Sequence, residues 1–295
     1  MRRQPFIGCA AVLAALTLCG CPFRFSENLA FTRDIKYGSG YVRGPSAGAY
    51  VLQDLFFDLL VPTDAGAGLL PAVLLVHGGG FTGGSRGSED LLRYADALAR
   101  EGYACFLMDY RVAGENPPAP AEYSGDALTR AAHAAFVDTK VALRHIRAKS
   151  ALYGVDPNRI AVFGESAGAF AALAAGMTDA IDFLNDGPEF PVPPENNLLT
   201  NPLPQAVISF WGNADRILDE FDPTDPPLMV AHGWLDENPA TPYFPGVTHI
   251  VEACLEHGID LRLYTLPLSG HGAWNARVDG VGLAALSVDF LDEVL

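Results

Sequence analysis

Charge is scarce in this chain, and positive charge scarcest of all. Only 18% of its 295 residues are Asp, Glu, Lys or Arg, and the 35 acids against 19 Lys and Arg leave a formal net charge of −16. So acidic a surface repels phosphate backbones unless a basic cluster offsets it, and the sequence holds no such cluster, which excludes nucleic acid as a partner. Beyond the N-terminus there is no uncharged apolar run of the roughly twenty residues that a membrane-crossing helix needs. Internal repeats and single-residue tracts are missing too. Cysteine is nearly absent from the body of the chain: Cys9, Cys19 and Cys21 crowd the start, and only Cys105 and Cys254 follow. Cys105 sits in the apolar run Tyr103–Met108 and Cys254 on an expected helix, so both read as small buried hydrophobes rather than a bridge. The histidines lack metal-ligand spacing beside a carboxylate on one helix, so no metal is expected.

What is present is a large apolar fraction, 49%, enough to enclose one catalytic-sized domain. Arg2 and Arg3 precede an apolar run from Phe6 to Leu18 followed by small residues, the build of a secretory signal. Leu18-Cys19-Gly20-Cys21 resembles the lipobox of bacterial lipoproteins, with Cys21 as the acylated residue. The expected division is residues 1–20 as signal peptide, 21–48 as tether and edge segment, and 49–295 as the catalytic domain. The protein is thereby expected to be exported and lipid-anchored on the periplasmic or cell-surface side of a bacterial membrane, or else secreted, and to touch the membrane only through that anchor.

Short apolar runs alternate with amphipathic ones. Strands are expected at Gln53–Val61, Pro71–Val76, Tyr103–Met108, Arg159–Phe163, Ala206–Phe210, Leu228–Ala231 and Asp260–Leu266. Between them, Leu91, Leu92, Ala95, Leu98 and Ala99 mark one helical face and residues 126–149 another, with further helices after Ser166, at Thr248–His257 and at Val281–Val294. This alternation demands an α/β architecture, a mostly parallel central sheet with helices on both faces, whose functional loops collect at the carboxyl ends of the strands. Proline-rich segments at Asn116–Pro120 and Pro188–Pro204 are candidate flaps over such a site or ordinary surface connections.

Gly164-Glu165-Ser166-Ala167-Gly168 falls between an expected strand and an expected helix. Flanking glycines allow the sharp turn that exposes a serine Oγ at a helix N-terminus, which points to a nucleophile at Ser166. Upstream, His77-Gly78-Gly79-Gly80-Phe81 ends a central strand. Its Gly79 and Gly80 amides, with that of Ala167, are candidate donors to an oxyanion, and His77 reads as orienting that loop. A base must follow the serine, and of His232, His249, His257 and His271 only the last is flanked by glycines in a loop after the final strand.

These motifs, with Asp109-Tyr110-Arg111, the run from Gly154 to Ile160 and His232-Gly233-Trp234-Leu235-Asp236 in the same order, resemble the α/β-hydrolase superfamily. The likeness is to its branch of hormone-sensitive-lipase-like carboxylesterases and acetyl-ester hydrolases, from about Tyr50 to the C-terminus. The resemblance implies acyl transfer through a serine ester: Ser166 attacks, His271 takes its proton, and Asp236 orients the imidazole, with Asp215 as the rival acid. Phe81, Trp211, Trp234 and Trp274 all lie near these loops and are candidate walls of a substrate pocket. The implied reaction is hydrolysis of short-chain acyl or acetyl esters of a small molecule or saccharide, and it requires no metal or organic cofactor. Formamide hydrolysis, feruloyl- or acetyl-polysaccharide esterase activity, and a silent binding module of the same fold are the alternatives.

Overall fold

The computed structural model describes residues 23–295 apart from 47, 65 and 67, so the expected signal peptide and Cys21 lie outside the described residues. In chain order the elements are β1 (Leu29–Arg43), β2 (Tyr50–Pro62), β3 (Leu70–Val76), α1 (Glu89–Arg100), β4 (Ala104–Met108), α2 (Ala127–Ala148), α3 (Ser150–Tyr153) and β5 (Val155–Glu165). There follow α4 (Ala167–Gly176), β6 (Ala206–Phe210), β7 (Leu228–Gly233), α5 (Thr248–His257), β8 (Leu261–Leu266), a small hairpin of β9 (Arg277–Val278) and β10 (Val281–Gly282), and α6 (Leu283–Val294). Eight strands make one sheet in the order β1-β2-β4-β3-β5-β6-β7-β8, antiparallel at β1–β2 and β2–β4 and parallel beyond.

The unbroken apolar run of β3 reflects burial on both faces. Ala72, Leu74 and Val76 join the core under α2, α4 and α5, while Val73 and Leu75 join the core under α1 and α6. Each fully buried side chain of this kind contributes about 1.5–3 kcal/mol relative to exposure. Cys254 belongs to the first core and Cys105 to the second, so the sheet separates the two free thiols.

Upstream of residue 49, where a tether and an edge segment are expected, most of the described residues form the edge strand β1. The 15 residues of β1 pair with β2 from Leu29↔Pro62 to Arg43↔Tyr50, so the sheet starts at Leu29. Register shifts between Thr32 and Ile35 and between Lys36 and Gly38 interrupt the alternation, and a strand so bulged shows no clean period of two in its sequence.

The second proline-rich segment is not a flap over the site. It belongs to a strap, residues 178–205, that crosses the outside of α2 and returns. Asn196 donates from Nδ2 to the Ser39 carbonyl and accepts the Ser39 N–H, the Tyr41 hydroxyl donates to Pro191 O, and Arg147 donates to Leu203 O. This covering explains why α2 buries charge on what its sequence presents as a polar face. Lys140 Nζ donates to Thr178 Oγ1 at 2.8 Å, and the guanidinium of Arg111 bridges Asp138 and Asp186, each at 2.7 Å. Such ion pairs and hydrogen bonds offset part of the cost of burying charge.

His133, also on α2, packs against Tyr123 and Phe183 with no partner for Nδ1 among the described residues, and burial pushes its pKa down to about 4 from 6.5. The unfolded chain therefore takes up a proton near 6.5 that the folded chain refuses until about 4. Stability should fall as pH drops through that window, by about 3 kcal/mol from this group at its lower end, and should not depend on it above. Denaturant midpoints for wild type and His133→Phe at pH 7 and pH 4 check this. The variant should lose less stability between the two, and identical losses would refute the assignment.

Candidate active site

β5 delivers Ser166 to the top of the sheet. The serine holds φ +53°, ψ −120°, a conformation that strains any residue with a Cβ, and its N–H donates to Phe210 O at 3.0 Å. The flanking glycines are sterically required. A Cβ on Gly164 would stand 2.0 Å from Gly168 O, and one on Gly168 would stand 2.1 Å from Val76 O. Ala167 opens α4, where first-turn amides have no intrahelical acceptor.

Val76 pairs with Gly164 in adjacent parallel strands, so the loop after β3 lies beside the nucleophile turn. Gly79 (φ +124°) and Gly80 (φ +61°) adopt backbone that L side chains rarely take, and a Cβ on Gly79 would meet Gly83 O at 2.2 Å. His77 is buried, stacks on Tyr110 at 4.3 Å and hydrogen-bonds through Nδ1 to Gly78 O at 2.6 Å, holding the loop as the sequence suggests. Sequence reasoning missed Glu165. One of its oxygens accepts the Gly78 N–H at 2.5 Å and the other accepts the Trp211 Nε1–H at 3.1 Å, so this carboxylate joins the glycine loop to the nucleophile turn. Its signal was an acid placed between an apolar strand and an apolar helix.

His271 reaches across from the loop after β8. Its Nε2 lies 2.8 Å from Ser166 Oγ and its Nδ1 lies 2.9 Å from Asp236 Oδ2. The Asp236 carboxylate is fully covered, whereas His271 keeps 29% of its side chain exposed. The acid and base loops are tied together, because Leu235 N–H donates to Ser269 O at 2.9 Å and Gly233 packs against Gly270 O so closely that a Cβ would stand 2.4 Å away. Asp236 Oδ1 accepts the Asn238 N–H at 3.0 Å, and Thr241 Oγ1 stands 3.1 Å from His271 Nδ1. Asp215 goes elsewhere. It is 44% exposed and bonds to His249 Nδ1 at 2.8 Å and to Asn213 Nδ2 at 2.9 Å. The structure thus brings Ser166, His271 and Asp236 together and leaves Asp215 out.

The four aromatic residues do not form one pocket. Trp211 is wholly buried beneath His271 and against Trp274, which also packs on Tyr94, Phe163 and Phe210. Phe81 is buried among Tyr110, Phe136 and Phe170. Trp234, 49% exposed and against Tyr243 and Phe244, is the most open of the four. Large apolar rings next to a tight backbone turn fill the space under it, which local sequence cannot distinguish from lining a cleft. Among the described residues no cluster of three or more His, Cys, Asp and Glu is placed to hold a metal, and no helix is long and apolar enough to cross a membrane.

A serine at a strand-to-helix turn, a histidine hydrogen-bonded both to it and to a covered carboxylate, and a glycine loop beside them form an arrangement that an α/β-hydrolase requires. Residues 57–219, more than half of the chain, match the BD-FAE family, and the protein belongs to it, an α/β-hydrolase esterase family. The matched span carries the glycine loop and Ser166 but ends before Asp236 and His271. Among curated proteins the chain is similar to the fumonisin B1 esterase of Sphingopyxis macrogoltabida, 33% identical over 140 residues, 45% of this chain and only 25% of that protein. It is also similar to carboxylesterase NlhH of Mycobacterium tuberculosis, 29% identical over 74% of this chain and 73% of that one. Among solved structures, a truncated carbohydrate esterase from gut microbiota shares the fold with TM-score 0.66 at 17% identity, covering 91% of this chain and 96% of that one. Thermogutta terrifontis esterase 2 shares it with TM-score 0.64 at 22% identity, covering 87% and 94%.

Proposed function

We propose that the protein hydrolyses carboxylic esters, short-chain acyl or acetyl esters foremost, through an acyl-serine intermediate. The observation that carries this reading is the unbroken hydrogen-bonded line from Ser166 through His271 to the covered Asp236. Because Nδ1 faces the Asp236 carboxylate, His271 carries its proton there and offers the Nε2 lone pair to the serine hydroxyl. As Ser166 Oγ bonds to the ester carbonyl carbon, its proton passes to Nε2, and the carbonyl oxygen becomes an oxyanion facing the amides of Gly79, Gly80 and Ala167. The imidazolium then returns the proton to the departing alkoxide. Water, activated by the same nitrogen, releases the acid and restores the serine.

Support for a short acyl group comes from Phe81 and Trp211. Both are packed into the core, so neither walls a deep acyl cleft behind the nucleophile. The half-exposed His271 and the open Trp234 leave room on the alcohol side, which suits a bulky small-molecule or saccharide alcohol. Export with a lipid anchor at Cys21, on the outer side of a bacterial membrane, belongs to the same proposal and rests on the sequence around that cysteine.

The test is a hydrolysis series of p-nitrophenyl esters from acetate to palmitate, with acetylated sugars, feruloyl esters and N-formyl compounds alongside. Acetate to butyrate should give the highest kcat/KM, and a maximum at the long chains or at the formamides would overturn the substrate reading. Intact mass of the membrane-extracted protein should show an acylated chain beginning at Cys21, and an unmodified mature chain would remove the anchor.

A further inference from the structure

His232 is buried at the end of β7, four residues before Asp236. Its Nε2 lies 3.0 Å from Asp236 Oδ2 and 2.9 Å from the Thr241 carbonyl oxygen. A carbonyl oxygen and an ionised carboxylate both only accept, so Nε2 carries the proton and donates it between the two. Nδ1 is then a bare lone pair, and it has no partner among the described residues. Asp236 Oδ2 therefore receives two imidazole N–H groups, from His232 on the strand and from His271 on the loop, while Asn238 N–H holds Oδ1. With Oδ1 held by a backbone N–H and Oδ2 held by the buried His232 side chain, the carboxylate keeps its orientation when His271 swings or becomes charged.

We propose that His232 is a positioning residue for the reaction, locking the Asp236 carboxylate toward His271 and taking a share of the negative charge on the oxygen that His271 uses. This rests on the hydrolytic reading above. The groups that face His232 are Asp236, the Thr241 carbonyl, His271 and the edge-on ring of Tyr243. Burial, outweighing the pull of Asp236, lowers the pKa of His232, so it stays neutral while His271 cycles. A second cation beside the imidazolium of the intermediate is thereby avoided.

Two substitutions separate positioning from packing. Gln at 232 can place an amide N–H near the position of Nε2, whereas Leu fills similar space with no donor. With active sites counted by a phosphonate that labels Ser166, His232→Leu should lower kcat per site about 10- to 100-fold with KM changed less than about twofold, and His232→Gln should recover most of that loss. The acid limb of the kcat/KM profile should move to higher pH in the Leu variant alone, because Oδ2 then gives its whole charge to His271 and favours the imidazolium. The low-field proton resonance of His271 Nδ1–H, read without any turnover, should shift in the Leu variant and stay in the Gln variant. Wild-type kcat per site with an unmoved acid limb and resonance in His232→Leu would overturn the proposal, as would a Gln variant no better than Leu. If the Leu variant does not fold, His232→Asn, whose amide falls short of both acceptors, takes its place. Failure of wild type to react with the phosphonate would sink the hydrolase reading instead, leaving the resonance to decide on His232.

Discussion

Ser166→Ala should yield a folded protein whose ester hydrolysis is lower by about 10⁴- to 10⁶-fold, the largest effect expected of any single change here. Alanine keeps the Cβ that the turn already accommodates at φ +53°, so the strain and the backbone bond to Phe210 O are unaltered, and only the Oγ contact with His271 Nε2 is lost. Without the nucleophile the imidazole and carboxylate have nothing to activate except water. The glycine-loop amides can still polarise a bound carbonyl, which leaves a residual rate above that in solution. Circular dichroism checks the fold, and steady-state hydrolysis with a short acyl ester checks the rate. Retention of more than about a tenth of wild-type kcat would mean that another group attacks.

Asp236→Asn should lower kcat by about 10²- to 10⁴-fold, and Asp215→Asn should leave it within about twofold of wild type. The reason lies in what Asp236 receives. Oδ2 accepts from His271, His232 and, more weakly, Thr241, and Oδ1 accepts from Asn238 N–H, so every neighbour of this carboxylate is a donor. An asparagine with its oxygen toward the histidines sets its amide against the Asn238 N–H. Turned the other way, the amide faces two imidazole N–H groups, and His271 relieves the clash by moving its proton to Nε2, the tautomer that cannot accept from Ser166. Asp215, exposed and paired with His249, meets none of this. The two variants assayed side by side separate the acids, and the reverse pattern would move the triad acid to Asp215.

How far these residues could be read in advance depends on the range of the forces that place them. The nucleophile turn was legible because its determinants are local. Gly164 and Gly168 lie within four residues of each other and are required by contacts at 2.0 and 2.1 Å, so any chain turning this way shows the pattern. The helices α1, α2 and α5 and the central strands β3, β4, β6 and β7 were legible for the same reason, since their apolar periods are written along consecutive residues. β1 was not, because its bulges break the period and its partner β2 supplies the order. Nor was the burial of Asp138, Lys140 and Arg144 on α2, which depends on a strap reached only after α4.

From the sequence alone came the alternating α/β pattern, the serine at the strand-to-helix turn, the glycine loop and a histidine in the last loop, all of them set by sterics or periodicity over a few residues. The family resemblance already favours Asp236 over Asp215, and the fold supplies the physical basis, because strand order carries the loop after β7, and not the one after β6, next to the loop after β8. Tertiary structure alone decided two further matters. It took Trp211 and Phe81 out of the pocket and into the core, because ring packing is settled by whatever approaches from remote parts of the chain. It placed two histidines on one oxygen of Asp236, an arrangement across separations of 4 and 35 residues that no spacing rule encodes, since it exists only once β7 and β8 lie side by side.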